Sequence, residues 1–217
     1  MLNHYSIFEE HKHVADEFEK AMQSFAAQSI TTAPYKINPI KLSNQEQRNL
    51  SLDQAWALEI SKALRVHDYL TAIPFSIVIP GTYRKTAQGQ SFQRLSIQPA
   101  WLDDQMTIIK EEVHIIEDEH RIVFYGRPVD ELEAQNVMRE HFNESLIRKE
   151  VPLFHVVHGL LGTENEPINT WRMVFIDQQV SAEQISMVKE IISKLDWNGL
   201  YAKADSLVAK KNQLNFT

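Results

Sequence analysis

A chain of 217 residues and 25.2 kDa, with 43% hydrophobic and 24% charged residues, can bury a substantial core and falls outside the disordered and low-complexity classes. Its net charge of −7 argues against a general nucleic-acid binder. Zero cysteines exclude disulfide, thiolate-metal and cysteine-nucleophile chemistry, and no apolar run is long enough to cross a bilayer, so we expect a cytoplasmic protein with no membrane partner.

In chain order, Phe8, Val14, Phe18, Met22 and Phe25 recur at helical spacing and predict an amphipathic helix over residues 5–28. An extended, Pro-punctuated piece, TTAPYKINPIKL, comes next. A second helix is expected from a cap near Ser51, with Asp53 in its first turn and Trp56, Ile60 and Leu64 on its buried stripe. Lys62 and Arg65 share another part of its surface. Residues 76–98 read as a hairpin around TAQGQS. Centring its turn on Gly89 puts Tyr83 opposite Leu95, Thr82 opposite Ser96 and Arg84 opposite Arg94, with Pro80-Gly81 at an edge or bulge. A second hairpin is expected over 107–125, turning at 117–119, although the spacing of its first half also fits a helix. RPVDELEAQNVMREHFNESLIRK predicts a helix, and EVPLFHVVHGLL with INTWRMVFID a third hairpin around GTENEP. Ser181 with Gln184 is a capping box for a helix whose stripe is Ile185, Val188, Ile191, Ile192 and Leu195, and a short final helix follows. The expectation is a single α+β domain over 1–217, antiparallel β-hairpins interleaved with amphipathic helices, in which 181–217 could stand as a helical appendage.

The histidines and carboxylates give little chemistry. His155 and His158 lie three apart on a predicted strand and point to opposite faces, while His11 and His13 are about 200° apart on a helix, so neither pair can share a metal. There is no HExxH, GxSxG, Walker A or GxGxxG pattern, and adjacent acids such as Glu111-Glu112 and Asp103-Asp104 read as solvated surface. The expectation is therefore no enzyme, no metal and no cofactor. A polar cleft grouping His114, His120 or His155 with carboxylates would revive an enzymatic reading.

Charge is segregated: residues 1–30 carry −3, 31–100 carry +4, 101–145 carry −8 and 146–217 carry 0. From Tyr69 to Leu102 there is no Asp or Glu. In the register above, Arg84 and Arg94 face each other and need a counter-charge, which a phosphate backbone would supply. Lys85, Gln90 and Gln93 near the tip suit phosphate and base-edge contacts, and Lys62 and Arg65 add positive charge. The leading expectation is thus a non-enzymatic binder of double-stranded DNA. Two readings compete with it: the acidic block neutralises these arginines within the fold, or that block, 101–145, docks a basic protein.

FEKAMQSFAAQ, the strand IVIPG, the segment from REHF to EVPLFHVV, and TW leading into VSAEQISMVKEIISKL occur in an order that resembles the bacterial replication terminus site-binding (Tus-like) proteins. That resemblance implies a monomeric DNA binder that holds a duplex and blocks a replication fork. The family traps a flipped cytosine with a Phe and a His four residues later, ahead of a Leu-Pro-Gly strand. Phe142 matches the Phe, whereas this chain has Leu146 and, after Pro152, Leu153.

Overall fold

The computed structural model describes residues 7–41, 47–86, 89–101, 105–148, 151–176 and 180–214. It is an α+β fold built on one large antiparallel sheet. Helix α1 (Ile7–Ser24) leads into β1 (Ser29–Thr31), β2 (Tyr35–Lys36) and a small separate ladder of β3 (Ile40–Lys41) with β4 (Gln47–Arg48). Helix α2 (Leu52–Leu64) follows, then β5 (Phe75–Val78), β6 (Arg84–Thr86), β7 (Gly89–Pro99), β8 (Met106–Ile116) and β9 (Arg121–Arg127). Helix α3 (Glu131–Met138) precedes β10 (Phe154–Thr163) and β11 (Glu166–Phe175), and α4 (Ala182–Ser193) and α5 (Trp197–Leu214) end the chain.

The sheet runs β1-β11-β10-β9-β8-β7-β5, so the first strand joins the last and the remaining order is a meander. Alternation along the strands gives it two buried faces. One face presents Phe92, Val113, Phe124, Val156, Trp171 and Met173 to α2, α4 and α5 and forms the main core with them. The other carries two smaller clusters. In one, Phe18 of α1 meets Val123, Val157 and Val174; in the other, Ala134 and Met138 of α3 meet Leu95, Ile97 and Ile108.

Local sequence accounts for the helix starts. Ser51 and Ser181 each accept from the backbone N–H three residues on, Gln54 and Gln184, whose side chains accept in return from the Ser N–H. The helix cap at Ser51, the capping box at Ser181, the hairpin turning after Ile116 and the hairpin of β10 with β11 follow the sequence expectation, while the return bond from Ser51 N–H to Gln54 goes beyond it. Other elements differ. Helix α3 stops at Met138 because the backbone of Arg139 takes a positive φ of 24, and the rest of the expected helix is two short 3-10 turns, 139–141 and 144–146. Ile191, assigned to the buried stripe of α4, is exposed, because only Ile185, Val188 and Ile192 of that helix reach the core. Helix α5 is long, and its Tyr201 and Ala204 are fully buried in the main core.

The basic hairpin departs most from expectation. Val78 of β5 faces Arg94, whereas Arg84 of β6 faces Ser91, so the register slips across the bend at Ile79–Tyr83. Pro80 has no N–H to give and Gly81 adopts φ 80, which breaks the strand there. Thr82 closes the bend: its hydroxyl donates to the Ile79 carbonyl (2.7 Å) and accepts from the Gln93 N–H (3.0 Å). Arg84 and Arg94 are therefore not cross-strand partners. The Ala87–Gln88 tip and the acids Asp103 and Asp104 lie outside the described residues.

Candidate functional site

The sequence-predicted basic residues are dispersed rather than gathered on one surface. Arg94 is 4% exposed and points inward from β7. Its Nε and Nη2 donate to Glu111 Oε2 (3.1 and 2.6 Å), Nη1 donates to the Ala63 carbonyl (2.6 Å), and the guanidinium lies over the Phe124 ring at 5.1 Å. Lys62 is buried on Glu59 at 2.7 Å, and Arg65 pairs with Asp68. Gln90 is buried between Tyr83 and Glu117, Gln93 is half-buried, and Arg84 and Lys85 are exposed on β6. No phosphate-tracking strip forms among the described residues, because the fold supplies its own counter-charges.

The acidic block explains where those counter-charges come from. Glu111 holds Arg94, Glu133 holds Lys110, Glu112 holds Arg127 and His114, and Glu119 holds Arg121. Glu117 accepts from Trp56 Nε1 (2.8 Å) and Gln90 Nε2 (3.0 Å). The intramolecular reading of the charge segregation is the correct one for these residues, and docking of a basic protein through 101–145 has no support. Glu111, read as solvated surface, is buried because it faces Arg94 directly across the ladder.

These inward charges border a cavity. Between the main-core face of the sheet and α2, α4 and α5 is a space of about 110 Å³. Its walls are Trp101, Phe124, Phe154 and Trp171 from the sheet side, Val66, Leu70 and Ile73 from the segment after α2, and Ile192, Trp197 and Leu200 from the last two helices. Besides the buried Gln98, two polar groups interrupt this lining. The first is the Arg94–Glu111 pair. The second centres on Glu59, whose Oε1 accepts from Lys62 Nζ (2.7 Å) and Tyr201 OH (2.5 Å), while Asn169 Nδ2 donates to Tyr201 (2.9 Å). His158 Nδ1 is 3.7 Å from Glu59 Oε2, beyond hydrogen-bonding distance.

Burial disfavours the ionised Glu59 carboxyl, but the Lys62 ammonium and His158 outweigh it and hold the group well below the usual carboxylate range. Burial, with the Glu59 charge beside it, pushes the Tyr201 hydroxyl well above its ordinary value. Two buried nitrogens on lining residues have no hydrogen-bond partner: Trp101 Nε1 and His158 Nδ1. A second depression of about 370 Å³ on the opposite face is bordered by Lys110, Arg127 and Glu131, but there Lys110 and Arg127 are spent on Glu133 and Glu112.

The arrangement of strands and helices has known counterparts. A START superfamily protein from Mycobacterium smegmatis superposes with a TM-score of 0.50 at 10% identity, over 82% of this chain and 98% of that one. A protein from Thermus thermophilus gives the same values: 0.50, 10%, 82% and 98%. The fold is START-like. The Zhui aromatase/cyclase from Streptomyces sp. R1128 is similar at a TM-score of 0.48 and 8% identity, over 83% of this chain and 96% of that one. The sequence matches no family model and no curated protein.

This likeness overturns the Tus-like assignment. The fragments IVIPG and EVPLFHVV, which carried that resemblance, belong to the edge strand β5 with its bend and to β10 inside a START-like sheet. A sheet and helices closed around an apolar interior do not make a duplex-holding cleft, so the DNA partner and the replication role are withdrawn. No group of three or more His, Asp or Glu side chains could hold a metal among the described residues. No helix among them is long and apolar enough to cross a membrane. His155 and His158 do point to opposite faces: His158 lines the cavity and His155 is buried under α1, stacked on Tyr125 with ring centroids 3.7 Å apart.

The cavity went unread in the sequence because its walls come from helices, strands and loops spread over residues 59–200. One signal was legible: Glu59 and Lys62, three apart, share a helix face with apolar Ala55 and Ala63 beside them, a place where charges are rarely left unpaired.

Proposed function

We propose that this protein binds a small, predominantly apolar molecule in the cavity between the sheet and α2, α4 and α5, without a chemical step. The observation that carries the reading is a space of about 110 Å³ walled largely by aromatic and aliphatic side chains between the sheet and the helices. An apolar occupant that covers these walls takes their surface out of water, at roughly 25 cal/mol per Å².

Binding alone is favoured over catalysis because the cavity's charged groups are already engaged. Glu59, held ionised far below neutral pH, is a poor general base, and Tyr201, held protonated, is a poor one too. A cytoplasmic location belongs to the same proposal, in keeping with a chain that carries no cysteine to oxidise.

The test is titration with an apolar fluorophore whose emission rises in a dry site, on wild type and on Val156→Trp, which fills the space from β10. Saturable binding by wild type, lost in a Val156→Trp protein of unchanged circular dichroism, supports the reading. Equal binding by both proteins overturns it.

A further inference from the structure

Granted the cavity reading, on which this step rests, one residue of the wall sets the polar group that a ligand carries. Alternate residues of a strand share a face, so Gln90, Phe92, Arg94, Ser96 and Gln98 of β7 all lie on the main-core side of the sheet. The four polar ones among them are 5% exposed or less. They belong to the stretch from Tyr69 to Leu102, which has no acid of its own, so any carboxylate partner has to come from elsewhere in the chain. Gln90 finds Glu117, and Arg94 finds Glu111.

Gln98 finds no such partner. Its backbone faces Thr107 in the ladder with β8, and its side chain shares the cavity side with that of Arg94, another wall residue. Among the described residues that side chain makes no hydrogen bond. Its surroundings explain why. Arg94 stands four residues away, roughly 13 Å along the strand, and its guanidinium is spent on Glu111 and the Ala63 carbonyl. Thr107 donates its hydroxyl to the Leu146 carbonyl (3.0 Å), and Ser76 bonds to His67 Nδ1 (2.6 Å). A buried amide without a partner destabilises a fold, so one kept on the wall of a cavity calls for a role.

The shape of the amide narrows the role. It presents an N–H donor and a C=O acceptor side by side. A ketone answers only the N–H and a hydrocarbon answers neither, whereas a second amide set edge to edge answers both with two parallel bonds. An ordinary trans amide points its N–H and C=O in opposite directions, so the matching groups are primary amides and lactams. Charge narrows it again. Glu59 is balanced by Lys62 and Arg94 by Glu111, and a charged ligand would give up its hydration without meeting an uncompensated partner. The rest of the wall, Trp101, Phe124, Phe154 and Trp171 with the aliphatic side chains facing them, suits an apolar body.

We propose that the cavity takes an uncharged, mainly apolar molecule that carries one primary carboxamide or lactam, paired edge to edge with the Gln98 amide while its apolar body covers the aromatic wall.

Calorimetric titration of wild type and Gln98→Met with benzamide, acetophenone, cumene and benzoate tests this. The four probes are close in shape and offer a donor with an acceptor, an acceptor alone, neither, and a charge. Gln98→Met keeps the length of the side chain and removes the amide. Wild type is expected to bind benzamide, and Gln98→Met to weaken it about tenfold or more, acetophenone by less and cumene not at all, with no measurable binding of benzoate. Comparing the two proteins for each probe cancels the probes' different affinities for water. Because the amide has no partner in the protein, ligand-free Gln98→Met should melt no lower than wild type, whereas a glutamine that served only the fold would lower the melting temperature when replaced. The ligand class is overturned by a wild type that does not bind benzamide, by an equal loss for benzamide and cumene, by tightest binding of benzoate, or by a lowered melting temperature of ligand-free Gln98→Met. Each of these leaves the cavity reading standing so long as Val156→Trp still blocks the apolar fluorophore; a fluorophore that binds Val156→Trp as well as wild type removes both.

Discussion

Arg94 on β7 and Glu111 on β8 stand directly opposite each other and form a two-pronged charge pair, both side chains buried and both on the wall of the internal cavity. Removing one partner leaves the other charged in a medium that cannot solvate it. We expect Arg94→Met or Glu111→Gln to cost about 3–5 kcal/mol in urea unfolding, and the double change Arg94→Met with Glu111→Leu to recover much of that loss. A pair that merely decorated the surface would cost under about 1 kcal/mol in either single variant.

Glu59 depends on a cation and a hydroxyl from two helices. Lys62→Met should destabilise the fold by about 3–5 kcal/mol at neutral pH, because the carboxylate is then buried without its nearest positive charge. Loss of that ammonium raises the folded-state carboxyl toward protonation, so the deficit should shrink as the pH is lowered toward 5. Tyr201→Phe removes the donor to Glu59 and the acceptor for Asn169, for about 1–3 kcal/mol. Urea unfolding of both variants at pH 7 and pH 5 checks the order and the pH trend.

Much of the fold was legible because it is written in local patterns. Ser51 and Ser181 announce their helices, Glu117–His120 turns β8 into β9, and the alternation along β10 places His155 and His158 on opposite faces. The site was not legible, because it is made by long-range pairing. Arg94 looked like a surface cation for want of a nearby acid in sequence, and its partner comes from the next strand, at a register that a single bend at Pro80-Gly81 decides. A three-residue error in register turned a core ion pair into an imagined pair of outward arginines. Trp101 and Trp197, which close the cavity, sit in a loop and at a helix start and show no periodicity by which to assign them inward.

The imidazole of His155 is buried beneath α1, and burial lowers it from 6.5 to about 4. Its Nδ1 accepts from the Gly126 N–H at 3.2 Å, which requires the neutral ring. Between pH 6.5 and about 4 the unfolded chain binds a proton that the folded one refuses, so this residue's contribution is complete above 6.5 and is lost as the pH falls to about 4. The loss amounts to about 3 kcal/mol, at roughly 1.4 kcal/mol per unit. Glu112, lowered from 4.5 to about 2 first by His114 and then by Arg127, adds a second loss between 4.5 and about 2. Chemical denaturation at half-unit pH steps should show the upper decline in wild type and a flatter curve over that range in His155→Gln.

Gly126 on β9 has no room for a side chain. A Cβ there would lie 2.3 Å from the Phe154 carbonyl oxygen, and backbone cannot move aside as a flexible side chain would. Gly126→Ala should therefore push β9 from β10, cost about 1–3 kcal/mol or more, and disturb Phe154 at the cavity wall. A lowered melting temperature together with weaker fluorophore binding is the expected result.

The segment after α2 forms one wall of the cavity, and a change at its contact with α5 tests whether a ligand enters past it. Lys203 of α5 donates from Nζ to the Tyr69 carbonyl at 3.0 Å, and Tyr69 lines the cavity alongside Val66, Leu70 and Ile73. This bond ties the last helix to the segment facing it, while the Tyr69 hydroxyl is tied separately to Ser61. Lys203→Met keeps the aliphatic stem and removes the tie, weakening closure by about 1 kcal/mol for a bond at the exposed rim. If entry and exit share that opening, both rates should rise by the same factor, about fivefold, with the equilibrium affinity for the fluorophore unchanged. Stopped-flow association and dissociation measure this directly. A change in affinity at constant association rate would mean that Lys203 acts on the bound state and that the ligand enters elsewhere.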